Sequence, residues 1–316
     1  MTRRFAYTGD VTQPPRERIW HAGRPVDLRR TLGGLLRGTG DPAHQLDSRG
    51  TFWWACATPI GDATIALRAN QGSVSATAWG EGADWMLDRV PTVLGESDDW
   101  SGLDLTDLPH LGDLLRHHPG MRLPSTGRIF DSLVPAILEQ RVTGNEARRS
   151  WRQLLFRYGT PAPGPVPGMR LAPTPRVLLQ IPTWDWHRLG VDGQRQRAVR
   201  AAATVANRLE ECTELSRDDA MKRLQVVPGI GMWTAAETAQ RALGHPDAVS
   251  VGDFHLANVV VHHLTGAARG TDEEMLELLQ PWSGQRQRIV RLIEMSPAAG
   301  PPKFGPRYSP LDIRAM

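Results

Sequence analysis

The chain has 316 residues, 40% hydrophobic and 22% charged, a globular balance with length for one large or two ordinary domains. Basic and acidic residues number 37 and 34, a net charge of +3, too mild to mark a nucleic-acid binder by itself, so the distribution of charge matters more. The two cysteines, Cys56 and Cys212, lie far apart and exclude a disulfide framework, a cysteine-held zinc site and an iron–sulfur cluster. Met1 to Phe5 lacks the apolar core of a signal peptide, and no run approaches a membrane span. These features predict a cytoplasmic protein, associated with the nucleoid if DNA is its partner. Arginine greatly outnumbers lysine and clusters at Arg148, Arg149, Arg152 and Arg157, at Arg195, Arg197 and Arg200, and at Arg286, Arg288 and Arg291. Its planar fork suits phosphate, although any one cluster reads equally well as a solvated helix face.

In chain order, Val26-Asp27 opens a helix whose Leu28, Leu32, Leu35 and Leu36 share a face. Phe52–Thr58, Ala63–Ala69 and Ser73–Trp79 read as antiparallel strands, with turns at Pro59–Asp62 and Asn70–Gly72. Asp84 to Leu94 reads as a helix that Pro91 kinks or ends. From about Leu108 onward the pattern is helical. Phe130, Leu133, Val134, Ile137 and Leu138 form a stripe, Asn145 is placed to cap a helix reaching Tyr158, and Thr160 to Pro175 is proline-rich and predicts a surface loop. Further helices are expected over Gln194–Leu209, Arg217–Val226 with Ser216 as cap, Trp233–Leu243 and Phe254–Leu264. A capping box then opens at Thr271–Glu274, and a last helix covers Ser283–Met295. The proline-rich segment from Ala298 to Met316 predicts an irregular tail or strap. The fold class is α+β.

The stretch Leu224-Gln-Val-Val-Pro-Gly-Ile-Gly-Met-Trp-Thr-Ala-Ala-Glu237 reads as helix, tight turn, helix, and Gly252-Asp253 follows one helix length later. Two glycines around one apolar residue allow a sharp turn and close approach of a ligand. Turn amides feeding a helix N-terminus can seat a phosphate. Separately, Pro228–Gly231 is a common structural turn, and an Asp after Gly is usually a helix cap. Together, at this spacing, they point to chemistry on a nucleic-acid backbone.

On these residues the chain resembles the helix–hairpin–helix base-excision DNA glycosylases, most closely the bacterial inducible 3-methyladenine DNA glycosylase group. The resemblance runs from about Pro109 to Met295, clearest at Met121–Pro124, Phe130–Thr143, Gln225–Thr234 and Pro281-Trp282. It implies a small N-terminal α/β domain with an antiparallel sheet (residues 1–108), a mostly α-helical glycosylase domain (109–297) and a proline-rich tail (298–316). It implies Asp253 as the catalytic carboxylate, stabilising positive charge on the sugar as the glycosidic bond breaks and orienting water. The partner implied is double-stranded DNA carrying a damaged base, an N-alkylated purine of the 3-methyladenine type, met by a monomer. Trp233 stands where lyase relatives carry a Schiff-base lysine, which implies a monofunctional enzyme. Gly229, Ile230 and Gly231 of the hairpin, with Gln140 and Arg141 of the loop that fills the gap left by an extruded base, are the implied DNA-binding residues.

No cofactor is implied beyond a possible monovalent cation on the carbonyls of Gln225, Val227 and Ile230. Three positions depart from the family. Arg141 replaces an apolar wedge, and a plain surface arginine accounts for it equally well. Glu237 and Arg291 fall where pocket aromatics are expected. They would either narrow the substrate range or pair with each other as a buried ion pair, or Glu237 would contact a cationic base directly. Trp233 would line the pocket, packing in the core or facing the base. Two other functions remain open on the sequence: a non-catalytic helix–hairpin–helix DNA-binding protein, and a glycosylase for deaminated or oxidised bases.

Overall fold

The computed structural model describes residues 14–297, so the expectations for Met1–Phe5 and for the tail from Ala298 lie outside the described residues. The chain opens as an antiparallel sheet of five strands, β1 (Arg16–His21), β2 (His44–Leu46), β3 (Phe52–Thr58), β4 (Gly61–Asn70) and β5 (Ser73–Trp79), in the order β1-β5-β4-β3-β2. Alternation drives β5, where Val74, Ala76 and Ala78 are buried between more exposed neighbours. The edge strand β1 escaped the sequence reading because Arg-Glu-Arg carries no apolar alternation. It is held by pairing with β5 along its whole length, from Arg16 opposite Ala78 to His21 opposite Ser73. Charges on such an edge also discourage further strand pairing.

One face of the sheet buries Leu28 and Leu32 of α1 (Leu28–Leu32), Leu35 of the 3-10 turn that follows, and Met86, Val90 and Val93 of α2 (Ala83–Asp88) and α3 (Val90–Val93). The single helix expected over Asp84–Leu94 is thus two, broken at Arg89 ahead of Pro91, whose ring and missing N–H cannot continue a helix. The other face meets the segment expected to be a surface loop. This segment is partly a two-stranded ribbon, β6 (Thr160–Pro161) with β7 (Arg170–Leu171), and Met169 and Leu171 are buried against Ala55 and Trp53 of β3.

The helical portion comprises α4 (Pro109–His117), α5 (Ile129–Leu138), α6 (Gly144–Tyr158), α7 (Pro175–Gln180), α8 (Thr183–Arg188), α9 (Gly193–Thr204), α10 (Ala206–Glu210), α11 (Arg217–Gln225), α12 (Met232–Ala242), α13 (Leu256–Thr265), α14 (Asp272–Leu278) and α15 (Arg286–Met295). The α5 stripe is buried as expected, and α5 packs against α9 and α12 at the centre of one core. A second core joins α4, α13, α14 and α15, and it takes in Trp100 and Leu103 from upstream of Pro109. Helix α6 is capped by Thr143 rather than Asn145, because Thr143 and Glu146 satisfy each other's backbone N–H groups in a capping box. Ser216 and Thr271 cap as expected. The long helix expected over Gln194–Leu209 is interrupted at Val205, and α7 and α8 were not foreseen. Among the described residues no helix is long and apolar enough to cross a membrane.

Candidate active site

The turn between α11 and α12 is anchored from beneath by buried Leu224, Val227 and Ile230. Gly229 has φ +87, and a Cβ there would stand 2.7 Å from the Ala198 Cβ of α9. Two independent constraints therefore demand glycine. Gly231 is different: its backbone is extended and no heavy atom lies within 4 Å of the place a Cβ would occupy. The fold does not require this glycine, whereas a ligand backbone approaching that open side would. Helix α12 has no side-chain cap, so its first N–H groups are available to an anion. The hairpin carbonyls also suit a cation. Those of Gln225 and Ile230 accept no hydrogen bond from the described residues, and that of Val227 accepts one, from Ile230 N at 3.0 Å.

Beside the hairpin, the Gln140 amide donates to the Gly229 carbonyl (2.9 Å) and to Thr234 Oγ1 (2.8 Å). Arg141 follows, exposed and at φ +53. This left-handed conformation is costly for a side chain other than glycine or asparagine. Gln140, with Arg141 next to it in the chain, and Gly229, Ile230 and Gly231 thus stand together where the end of α5 meets the start of α12.

Asp253 closes the loop ahead of α13. Its Oδ1 accepts from the backbone N–H of His255 (2.8 Å) and Leu256 (3.0 Å), and its Oδ2 from Trp233 Nε1 (3.1 Å). The capping reading is therefore true of one oxygen only. Asp253 also lines a cavity of about 330 Å³, together with Leu256 and Val259 of α13, Glu237 and Arg241 of α12, Thr31 and Gly34 from the N-terminal portion, and Gln287, Arg291 and Glu294 of α15. That is ample for one purine base, at the small end of ligand pockets.

The cavity brings together Asp253, Glu237 and Arg291, and of the arrangements the sequence left open it excludes the ion pair. Glu237 and Arg291 do not pair. Arg241, one turn along the same face of α12, binds Glu237 at 2.8 Å, and the Ser250 hydroxyl donates to the other oxygen at 2.5 Å. Burial alone would raise the Glu237 carboxyl, but Arg241, the Ser250 hydroxyl and Arg37 outweigh it and hold it below its ordinary value. Arg291 instead donates to the Arg30 carbonyl at 2.8 Å, and burial lowers its guanidinium. Trp233 is not part of the cavity wall; its indole contacts Asp253 from the side.

Several arginines singled out for phosphate are engaged internally: Arg195 with Asp192 and the Leu138 carbonyl, Arg286 with Asp247, Arg288 with Asp98. Sequence reasoning missed Glu294 and Gln287, which share the pocket face of α15 with Arg291 at helical spacing. It also missed Phe254, which follows Asp253 and is 84% exposed.

No protein-family model matches the chain. It is 32% identical over 152 residues to the probable bifunctional transcriptional activator/DNA repair enzyme AlkA of Mycobacterium tuberculosis, covering 47% of this chain and 30% of the relative. It is 29% identical over 174 residues to DNA-3-methyladenine glycosylase 2 of Escherichia coli, covering 54% and 60%. The chain thus matches less than two thirds of either relative's length. Among solved structures, the 3-methyladenine DNA-glycosylase from Archaeoglobus fulgidus superposes with a TM-score of 0.69 at 17% identity, covering 87% of this chain and 96% of that one. In sequence the chain is thus similar to the bacterial 3-methyladenine DNA glycosylases, and its fold is the α+β fold of the helix–hairpin–helix glycosylases.

Proposed function

We propose that this protein is a monofunctional DNA glycosylase acting as a monomer on duplex DNA in the cytoplasm, removing an N-alkylated purine of the 3-methyladenine type in base-excision repair. The observation that carries this reading is Asp253: a carboxylate fixed by three N–H donors at the wall of a cavity with room for a base, one helix beyond the hairpin. The hairpin amides and Gln140 loop hold the duplex backbone while one nucleotide rotates into the cavity. As the C1′–N bond breaks, its electron pair leaves with the base, and the Asp253 carboxylate stabilises the cationic sugar. Water then adds to C1′ and yields its proton to Asp253. An alkylated base already carries positive charge and departs without a protein acid. A monovalent cation on the Gln225, Val227 and Ile230 carbonyls would add charge toward a phosphate.

The monofunctional assignment rests on Trp233 and on how few amines are available. The chain has two lysines, Lys222 and Lys303. Lys222 sits exposed on α11 beside Asp219, and Lys303 lies outside the described residues. The test is incubation of the purified protein with methylated duplex DNA, scoring released bases, beside Asp253→Asn. Wild type is expected to release N-alkylated purines and Asp253→Asn to lose at least about 100-fold. If wild type releases nothing from a panel of lesions, the protein is a non-catalytic DNA binder. Borohydride-trapped cleavage of abasic DNA by wild type would refute the monofunctional assignment.

A further inference from the structure

Helix α6 carries two arginines that the internal pairings leave over. Arg148 and Arg152, four residues apart on one face, are exposed, and among the described residues neither has a hydrogen-bond or ion-pair partner. The carboxylates around them are taken: Glu139 by Arg37, Glu146 by the Thr143 capping box, and buried Asp41 by the N–H groups of Arg37, Ala43 and the Trp151 indole. Like charges at this spacing weaken a helix slightly, so the fold gains nothing from the pair. Both side chains are nonetheless placed. The Arg148 stem lies across Gly38, its guanidinium lies beside Gly144, and the Arg152 guanidinium stands beside Gly40. A Cβ at these three glycines would be 2.6 Å, 3.1 Å and 3.5 Å from the arginine concerned. Gly38 and Gly40 both have φ +81, and the N–H groups of Gly38, Thr39 and Gly40 donate to no described residue. Two forked cations and three unpaired amides therefore stand together at the surface, a donor set that grips phosphate.

Helix α5 separates this patch from the hairpin. It packs against α12, which the hairpin opens, and against α6, and Arg148 reaches back to Gly144 in the loop that begins with Arg141. Resting on the reading of duplex DNA as the partner, we infer that Arg148, Arg152 and the Gly38–Gly40 loop grip phosphates of the second strand, the one the hairpin does not hold. Arg141 then enters the base stack between two backbone contacts, the hairpin on one strand and this patch on the other. The patch reads no base, so its contribution is electrostatic and independent of sequence. It holds the complement in place while the opposite nucleotide rotates out. The Gly38–Gly40 loop comes from the N-terminal portion and α6 from the helical portion, so both parts of the chain take part in binding DNA.

The test is anisotropy titration of a duplex with one abasic site, across salt concentration, by wild type and the double variant Arg148→Gln/Arg152→Gln. The double variant is expected to melt like wild type and to bind roughly tenfold more weakly or worse at about 0.1 M salt. Its slope of log affinity against log salt should be shallower by about 1.8, about 0.9 for each of two phosphates. Arg148→Lys/Arg152→Lys keeps both charges and should keep most of that slope. Methylphosphonate linkages, which are neutral, then assign the strand. Placed in the complement they should weaken wild type and leave the double variant indifferent, whereas in the abasic strand they should weaken both. Unchanged affinity and slope in the double variant would make these arginines a solvated helix face and overturn the inference. So would a double variant still weakened by a neutralised complement. Wild-type binding without base release from any lesion removes the glycosylase reading alone, and absence of duplex binding by wild type overturns both.

Discussion

The indole N–H of Trp233 donates to Oδ2 of Asp253 at 3.1 Å, while Oδ1 is held by two backbone N–H groups of the following helix. The first turn of α12, which carries the hairpin, thus positions the carboxylate that the start of α13 supplies. Preorganisation of this kind avoids reorganisation as charge develops. Trp233→Phe keeps the ring and deletes the donor. Single-turnover base release should slow roughly tenfold, about 1.4 kcal/mol, with duplex affinity by fluorescence anisotropy unchanged. A wild-type rate in Trp233→Phe would show that the bond plays no part in the chemistry.

The two hairpin glycines should separate by experiment. Gly229→Ala forces a side chain to φ +87 and a methyl to 2.7 Å from the Ala198 Cβ, so it should cost stability, about 1–2 kcal/mol from the conformation alone. Gly231→Ala meets nothing within 4 Å and should melt like wild type. Its added methyl nonetheless stands where the phosphate would approach, so duplex affinity should fall roughly tenfold, about 1.4 kcal/mol. Unchanged DNA binding in Gly231→Ala would remove the hairpin from the interface.

The Glu237–Arg241 pair is a structural device within the cavity wall. Both side chains are largely buried, and Arg241 also donates to the Gly34 carbonyl, joining α12 to the N-terminal portion. Arg241→Met leaves an unpaired buried carboxylate and should cost about 3–5 kcal/mol in urea unfolding at pH 7. Because the folded Glu237 carboxyl is held below its ordinary 4.5, the stability it contributes is complete above that value. It is lost as pH falls through the lowered one. Arg241→Met should lack this acid-side loss, and an unchanged acid transition would contradict the assigned pairing.

The motif and its fold were legible because the features that carry them are local. The α5 stripe, the alternation of β5, the Ser216 and Thr271 caps and the hairpin-to-Asp253 spacing are all set by neighbours in sequence. What the sequence concealed depended on distant partners. β1 is a strand only because β5 pairs with it, and Met169 is buried only because Ala55 lies beneath it. Glu237 chose Arg241 over Arg291 by helix geometry that a one-turn spacing could have suggested. Glu294 left no motif at all. Its place in the cavity follows from how α15 packs across from the Asp253 loop, and only a helical-face reading extended from Arg291 by three residues would have found it.

Gln140 links the end of α5 to the hairpin through the Gly229 carbonyl and Thr234 Oγ1, whereas its neighbour Arg141 reaches into solvent. The two should therefore fail differently. Gln140→Ala frees the turn that seats the phosphate, so affinity should fall alike for damaged and undamaged duplex, with a stability loss of about 1 kcal/mol for the lost bonds. Arg141→Ala should leave undamaged duplex binding within about twofold, the size expected of one exposed contact, and weaken binding to DNA carrying an abasic site, where a gap in the stack awaits filling. Anisotropy titrations of both variants on both DNAs distinguish the roles. Equal loss by Arg141→Ala on undamaged and abasic duplex would reduce Arg141 to an ordinary phosphate contact.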